Sequence, residues 1–413
     1  MSIVAFKCIV SYLLFSYLFL GIFTNAFAIS SFVTISTFIA FIFVLIYIFL
    51  LCFSQVKIKK RDNYFLLLFW TVLTFSSILF SRGEKCLNHY LMWSFSFFAF
   101  YYVFRVLLLY LLASEGKRIL ATTFKILSLS VFISSLFAII EFVLVNFGGL
   151  TLDYIIPRGT VEDYAPLAFN FIRARSFMEE SGQFALFLEI FAPITIVWIF
   201  TNTKCKVIRY LYLFVIIISL LLSFSSFGLI ALLMSVLIYL YYYIFSSVSL
   251  NVLLKKLFLT CIICLFIILI FFPILDMGYQ VVMTKLDTDN SSFNDRSDRI
   301  IGLEHFLSGV NLIVGYGAAA FSTLKTPSFI SLYVGILMST GILGIVLFLS
   351  FLLNSFRRIL RIKDKRVRWG FVAAFVTSTI HFCFVDLIYV PWYWTMLALS
   401  YACSVKENLL LND

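Results

Sequence analysis

The sequence predicts an all-α polytopic membrane protein, organised as a single integral membrane domain over residues 1–413. Hydrophobic residues make up 63% of the chain and charged residues only 12%, and the mean hydropathy is +1.07. Soluble domains carry about 25% charged residues, so the composition excludes a soluble fold of this length. Apolar runs of about 20 residues, the length of a helix that crosses a bilayer, recur along the whole chain.

About 12 spans are predicted, and the Lys and Arg residues between them indicate their orientation. Cytoplasmic loops of membrane proteins carry an excess of these residues. The cluster at residues 57–61 (KIKKR) follows the second apolar run, which predicts a cytoplasmic N-terminus. With this orientation 20 of the 31 Lys and Arg residues are cytoplasmic and 9 are external, so the C-terminus is cytoplasmic too. The predicted spans are residues 3–23, 31–53, 63–80, 90–112, 119–147, 177–200, 210–223, 226–245, 257–275, 328–353, 369–388 and 392–405.

The same pattern accounts for the net charge of +11 without nucleic acid as a partner. The first apolar run is longer than the apolar region of a signal peptide, so we expect it to be retained, although residues 26–28 (AFA) resemble a cleavage site. The eight cysteines predict no disulfide framework. The pair Cys261 and Cys264 lies within a predicted span with no His or further Cys nearby, so no metal site is expected.

Two predicted external loops, residues 148–175 and 276–327, carry most of the charge on the outer side. Arg173 and Arg175 directly precede the span 177–200, and Glu179 and Glu180 lie at its start. A guanidinium group binds phosphate oxygens in a bidentate manner. A carboxylate shielded from water can act as a general base on a sugar hydroxyl. These residues therefore indicate an anion site with a catalytic base; the alternatives are an ion pair that fixes the start of the helix and an anchor to lipid headgroups.

Further polar residues lie in or next to the predicted spans. Gln183 is four residues after Glu179 and is expected to share a helix face with it, as an accessory group. Glu189 lies deeper and is interpreted as a polar contact between helices. The set Glu141, His381 and Asp386 is predicted to form either hydrogen bonds between helices or a proton path, and both alternatives stay open.

The second loop predicts an amphipathic helix on the membrane surface. Ser292 or Asn294 is suited to cap a helix that begins near Arg296. Arg296 and Arg299 would share a face of its first turn, where the helix N-terminus also favours anions. His305 is either an accessory catalytic group or a polar surface residue. The apolar residues at helical spacing are Ile300, Leu303, Leu307 and Val310.

Three stretches resemble the O-antigen polymerase/ligase superfamily of polytopic glycosyltransferases. They are residues 175–188 (RSFMEESGQFALFL), residues 223–233 (SFSSFGLIALL), and residues 299–317 together with Tyr333 and residues 340–348 (TGILGIVLF). Together they cover roughly residues 175–350. Ligases of this superfamily usually carry a His just before the span with the Gly-Ile-Leu-Gly motif. This chain has Thr326-Pro-Ser328 there, which favours the polymerase branch.

The resemblance implies a metal-independent glycosyltransferase without a cofactor, in the bacterial inner membrane. Its external arginines would hold the pyrophosphate of an undecaprenyl-pyrophosphate-linked glycan; in this chain they are Arg173 or Arg175 and Arg296 or Arg299. Glu179 or Glu180 would be the base. The expected partners are the lipid-linked glycans, the bilayer, a chain-length regulator and a flippase.

Three other functions agree with the same residues. They are an O-antigen ligase, a capsule or exopolysaccharide polymerase, and a flippase or transporter of lipid-linked glycans. A secondary transporter is expected to show related halves and substrate groups near mid-membrane. The sequence shows no repeated halves, and its charge lies in the loops.

Overall fold

The structure of the protein is a computed structural model that describes most of the chain. The described residues are 3–24, 26–28, 34–52, 64–150, 152–153, 155–158, 167–168, 171–245 and 303–409. The predictions for Cys261, Cys264, Arg296 and Arg299 and for the span 257–275 lie outside them.

The described chain is mostly helical. Its helices are α1 (Ile3–Leu20), α2 (Ile35–Cys52), α3 (Tyr64–Phe80), α4 (Cys86–Phe95), a π-helix (Ser96–Val103), α5 (Phe104–Glu115), α6 (Lys117–Gly148), α7 (Ser181–Asn202), α8 (Lys206–Leu222), α9 (Ser226–Phe245), a 3₁₀ turn (Leu303–Phe306), α10 (Gly309–Val314), α11 (Ala320–Leu324), α12 (Leu332–Leu360), α13 (Lys365–His381) and α14 (Pro391–Leu409). Two short antiparallel strands, β1 (Leu167–Ala168) and β2 (Phe171–Ile172), pair before α7.

Several of these helices can cross a membrane. Within the described residues, five are long and apolar enough: α2, the continuous unit Cys86–Glu115, α6, α7 and α12. Shorter apolar helices lie at Ala5–Leu20, Tyr64–Phe80 and Ser226–Tyr242. The predicted all-α membrane fold is confirmed at this level.

Three predicted boundaries need correction. The span 369–388 ends as helix α13 at His381, so Asp386 lies in the connection to α14. The span 177–200 begins as helix only at Ser181, which leaves Glu179 and Glu180 before the helix. The predicted amphipathic helix is interrupted between His305 and Val310, since Ser308 is extended and Gly309 has a φ of +55°.

Helix α7 lies at the centre of the bundle. Its residues from Gln183 to Ala192 are all buried, including those on opposite faces of the helix. A helix that is apolar around its whole circumference belongs in an interior. It packs against α13, α6, α8 and α9, so it is held by several elements at once.

At the end of the bundle that holds the α12–α13 connection, basic residues stack on tyrosines. Arg105 is 4% exposed, and its guanidinium lies 4.3 Å from the ring centroid of Tyr401. Arg358 contacts the same ring at 4.9 Å. Such cation–π contacts are stronger where water is excluded. They join α5, α12 and α14 at this end.

Helix α12 is broken at a close backbone crossing. Gly341 has a φ of +64° and interrupts the helix. The freed carbonyl groups of Met338 and Ser339 accept hydrogen bonds from Tyr316 N and Gly317 N, both at 2.9 Å. A Cβ on Gly341 would lie 2.3 Å from the carbonyl carbon of Ile313, and a Cβ on Gly315 2.4 Å from that of Ser339. Only glycine allows the two backbones to approach this closely.

We therefore expect Gly341→Ala to destabilise the protein by about 1–3 kcal/mol or more, because a Cβ there adds backbone strain and a clash. Thermal unfolding in detergent micelles measures the change. Gly148→Ala is the matched control, since the nearest atom to its Cβ would be 3.9 Å away. Equal melting temperatures for the Gly341 variant and the native protein would contradict this account of the crossing.

Candidate functional site

Several connections between helices meet at one end of the bundle, and we call this end the loop-rich face. It consists of the described residues within 149–180, 223–225, 303–331 and 382–390. Backbone hydrogen bonds join these connections. Ala174 N donates to Leu222 O at 3.0 Å, and Leu332 N donates to Phe382 O at 3.0 Å. The sequence-predicted residues Arg173, Arg175, Glu179 and Glu180 all lie on this face.

A buried carboxylate near the end of α6 organises the segment before α7. Glu141 is 5% exposed, and its Oε1 lies 2.5 Å from Nη1 of Arg158, which is also 5% exposed. Its Oε2 accepts hydrogen bonds from the backbone N–H groups of Ser176 at 2.7 Å and Arg175 at 3.1 Å. A buried charge is tolerated only when a partner charge and hydrogen bonds compensate its lost hydration. Glu141 therefore anchors two parts of the same long connection.

Arg158 shares this environment. Burial lowers the pKa of its guanidinium, and the charge of Glu141 opposes that shift. An arginine remains protonated in proteins, so Arg158 supplies the positive charge of this contact. Asp153 Oδ1 lies 3.6 Å from Arg158 Nη1, and the Asp153 side chain is 57% exposed.

Arg175 is held by the same cluster. Its Nη2 lies 2.6 Å from Asp153 Oδ1, its Nη1 donates to Glu179 O at 3.2 Å, and its Nε lies 4.0 Å from Glu141 Oε1. The Arg175 side chain is 12% exposed. Arg175 is thus ion-paired with Asp153 and Glu141, whereas the alternative left open by the sequence was an ion pair with Glu179 or Glu180, which stays a prediction. Pyrophosphate binding by Arg175 stays a prediction.

The chain turns sharply at Ser176. Its φ is +54°, and its Oγ donates to Ser134 O at 2.8 Å. The turn delays helix α7 to Ser181, with Glu180 extended at its N-cap. The prediction that Glu179 and Gln183 share a helix face is therefore wrong, because Glu179 precedes the helix. Glu179 is half-buried and Glu180 is exposed, whereas Gln183 is buried within α7.

Arg173 is directed to a different partner from Arg175. Its Nε donates to Ser223 O at 3.0 Å, in the serine-rich turn between α8 and α9. Within that turn Ser223 Oγ accepts from Ser225 N at 3.3 Å. The two neighbouring arginines thus connect the segment before α7 to two different parts of the loop-rich face.

Below this face, Glu189 of α7 and His381 of α13 form a buried pair. Glu189 Oε2 lies 2.8 Å from His381 Nδ1, and the two side chains are 2% and 3% exposed. The Phe227 ring lies 4.3 Å from the His381 ring, centroid to centroid. The interpretation of Glu189 as a polar contact between helices is confirmed.

Tyr389, in the connection between α13 and α14, lies within electrostatic range of three carboxylates. Burial raises the pKa of Tyr389, and the negative charges of Asp386, Glu179 and Glu180 add to the shift. Burial alone raises the pKa of Asp386 to about 7. The sequence placed Asp386 in a span; the structure places it in the connection after α13, where it acts on the same tyrosine as the two predicted catalytic glutamates.

His305 lies on the 3₁₀ turn and is exposed. That turn is tied to the glycine crossing, since the Tyr316 hydroxyl donates to Phe306 O at 2.6 Å. The accessory role of His305 stays a prediction.

Sequence reasoning missed Arg158 and Asp153 as members of the site and treated Glu141 only as an in-membrane group. One signal was available: Arg158 is a cation in a loop predicted to be external, where the orientation rule disfavours it. Its partner was not predictable, because Glu141 lies 17 residues earlier on another element.

No protein-family model matches this sequence, and no curated protein matches it significantly.

We expect Glu141→Gln and Arg158→Met each to destabilise the protein by about 3–5 kcal/mol, because each leaves a buried charge without its partner. The double variant should lose less stability than the two single variants lose in sum, since it leaves no unpaired charge. Unfolding in detergent, monitored by tryptophan fluorescence, measures all three.

Asp153→Asn is the control for this cycle. Its side chain is largely exposed, so we expect a loss below about 1 kcal/mol. Strictly additive effects of the Glu141 and Arg158 substitutions would show that the pair is not the stabilising contact.

Proposed function

We propose that this protein polymerises undecaprenyl-pyrophosphate-linked oligosaccharide repeat units into O-antigen polysaccharide at the periplasmic face of the bacterial inner membrane. The observation that carries the proposal is that Glu179, Glu180 and Asp386 all act electrostatically on Tyr389, and that Arg175 donates to the backbone of Glu179. Proton acceptors and cations at one face of a membrane bundle suit a reaction between a sugar hydroxyl and a lipid pyrophosphate. The resemblance of residues 175–350 supports the same reaction.

The proposed topology has 12 spans with both termini in the cytoplasm and the loop-rich face in the periplasm. The charge of the described connections supports it. Basic residues cluster at the ends of helices away from the loop-rich face: Lys117, Arg118, Lys204, Lys206, Arg209, Arg357, Arg358, Arg361, Lys363, Lys365, Arg366 and Arg368.

In the proposed reaction an acceptor hydroxyl attacks the anomeric carbon of the donor sugar. The new glycosidic bond forms as the bond between that carbon and the pyrophosphate oxygen breaks, and the electron pair leaves with the lipid pyrophosphate. A carboxylate on the loop-rich face takes the hydroxyl proton; Glu179 and Glu180 are the sequence-predicted candidates. Arginines neutralise the charge that develops on the leaving group, and no metal takes part.

Arg175 can serve this reaction only if it exchanges a partner. Its contact with Asp153 is at the surface, since the Asp153 side chain is 57% exposed. Exposed ion pairs contribute about 0–1 kcal/mol. A pyrophosphate group, with more charge and more acceptor oxygens than one carboxylate, is able to displace Asp153 and leave the Glu141–Arg158 pair intact.

The test of the function is the lipopolysaccharide ladder of cells that lack the protein. Core carrying a single repeat unit would support the polymerase. Core without any repeat would contradict it and favour a ligase, if polymer accumulates on undecaprenyl pyrophosphate, or a flippase, if it does not. An unchanged ladder would also contradict it, and loss of a capsule or exopolysaccharide would then favour a polymerase for that glycan.

We expect Arg175→Ala to abolish elongation at a normal amount of protein in the membrane, because the pyrophosphate loses a bidentate donor. The ladder in complemented cells and an immunoblot measure the two quantities. Arg82→Ala, which removes an exposed cation from the connection between α3 and α4, is the matched control and should leave the ladder unchanged.

Asp153→Asn separates the two roles of Arg175. It removes the negative charge of the ion pair but keeps the guanidinium. An equal loss of elongation in the Asp153 and Arg175 variants would show that Arg175 acts by holding the loop in place, contrary to the prediction.

A further inference from the structure

Asp386 carries a buried oxygen that the protein does not satisfy. Its Oδ1 is buried and has no hydrogen-bond partner among the described residues, whereas the side chain as a whole is half-buried. An unpaired polar group in an interior costs roughly 1–3 kcal/mol, and native proteins contain few of them. The other oxygen, Oδ2, also has no hydrogen bond among the described residues but is not wholly buried, so it is the atom that a substrate hydroxyl can reach.

The position of Asp386 is held by its backbone. Leu332 N, at the start of α12, donates to both Phe382 O at 3.0 Å and Val385 O at 3.1 Å. On the other side of Asp386, the Trp394 indole donates to Ile388 O at 2.6 Å. Hydrogen bonds therefore hold the backbone of this connection on both sides of Asp386. None of them is made to the Asp386 Oδ1 atom, which stays unpaired.

The neighbouring helix leaves room for this carboxyl group. Gly335 lies in the first turn of α12, and a Cβ there would be 3.2 Å from Asp386 Oδ2 and 3.9 Å from the Phe329 ring. That distance is tighter than an ordinary contact, so a larger residue would press on the carboxyl group. Glycine at this position keeps the space next to Oδ2 free.

Tyr389 and Cys383 lie in the same connection as Asp386, and Tyr389 is within electrostatic range of it. Tyr333, in the first turn of α12, is within electrostatic range of Cys383. Glu179 and Glu180 come from the segment before α7 and act on the same tyrosine as Asp386. Desolvation is the cause that raises the pKa of Asp386 to about 7, so the group gains its negative charge as the pH rises through neutrality. A general base works best when its pKa is near the working pH.

We propose that Asp386 is the general base of this protein, and that it accepts the proton of the acceptor hydroxyl. The inference rests on the proposed polymerase function and assigns a role that the sequence predicted for Glu179 or Glu180. Those two glutamates are half-buried and exposed respectively, and the proposal assigns them to bind the other hydroxyls of the acceptor sugar.

In this step the acceptor O–H bond breaks and its proton moves to Asp386. The oxygen forms the new bond to the anomeric carbon, and the lipid pyrophosphate leaves with the electron pair of the broken bond. Asp386 then releases its proton to the water at the loop-rich face. No oxidant, reductant or further reactant is needed.

The experiment uses the full-length protein in lipid vesicles with undecaprenyl-pyrophosphate-linked repeat units, extracted from cells that lack this protein. The rate of chain growth is measured between pH 5.5 and 8.5 for the native protein, Asp386→Asn, Asp386→Glu, Glu179→Gln and Glu180→Gln. Glu84→Gln, which removes an exposed carboxylate between α3 and α4, is the matched control.

We expect Asp386→Asn to lower the rate by about a hundredfold or more, the usual contribution of a general base. The native rate should fall about tenfold per pH unit below about pH 7, because the protonated carboxyl group cannot accept a proton. Asp386→Glu should keep a measurable rate and a pH dependence. The Glu179 and Glu180 variants should change KM more than kcat and keep the native pH midpoint.

Stability separates this role from a structural one. A carboxyl group whose folded pKa is raised loses stability as the pH rises from its unfolded pKa to its folded pKa. Asp386→Asn has no carboxyl group to titrate and avoids this loss of stability. At pH 8 the variant should therefore unfold at no lower temperature than the native protein. A variant that is both inactive and less stable would assign Asp386 a structural role.

The remaining outcomes are distinct. Polymer from the native protein and equal polymer from Asp386→Asn would overturn the role of Asp386 and leave the polymerase function standing. A pH midpoint that moves in Glu179→Gln or Glu180→Gln would return the role of base to that glutamate. No polymer from the native protein would overturn the function and the inference together.

Discussion

The buried carboxylate of Glu141 is the contact on which the loop-rich face depends. It holds Arg158 through one oxygen and the backbone of Arg175 and Ser176 through the other. These partners lie 17 to 35 residues along the chain, so one side chain fixes both ends of a long connection. Because the pair is desolvated, losing either charge leaves the other uncompensated. The turn at Ser176, and with it the positions of Glu179 and Glu180, follows from this anchor.

The interior below that face is rigid for a related reason. Helix α7 is buried on all sides, and its one internal carboxylate, Glu189, is paired with His381. The pair joins α7 to α13 just before the connection that carries Asp386 and Tyr389. Glu179 and Glu180 precede α7 and Asp386 follows α13, so this pair couples the two helices that carry these carboxylates at their ends. A site for chemistry needs such support, since loosely held groups lose their reactive geometry.

Helix α12 contributes to the same face through glycine. Its break at Gly341 receives the backbone of residues 315–317, and Gly335 leaves space for Asp386. Irregular backbone at membrane depth is tolerated only where its polar groups find partners within the protein. Here the freed carbonyl groups of Met338 and Ser339 accept hydrogen bonds from the backbone of Tyr316 and Gly317. Residues 315–317 (Gly-Tyr-Gly) and residues 341–344 (Gly-Ile-Leu-Gly) therefore belong to the same close backbone crossing.

The sequence by itself determined the class of fold and most of the described helices. Runs of apolar residues and the placement of Lys and Arg report directly on transfer into lipid and on orientation, and both are local properties. It also marked the arginines and glutamates before α7 as unusual. Only the tertiary structure decided their partners: Asp153 for Arg175 and Ser223 for Arg173, with Glu179, Glu180 and Asp386 all acting electrostatically on Tyr389. These contacts join residues on different elements, and ion pairing and burial depend on distances in space that a one-dimensional pattern does not contain.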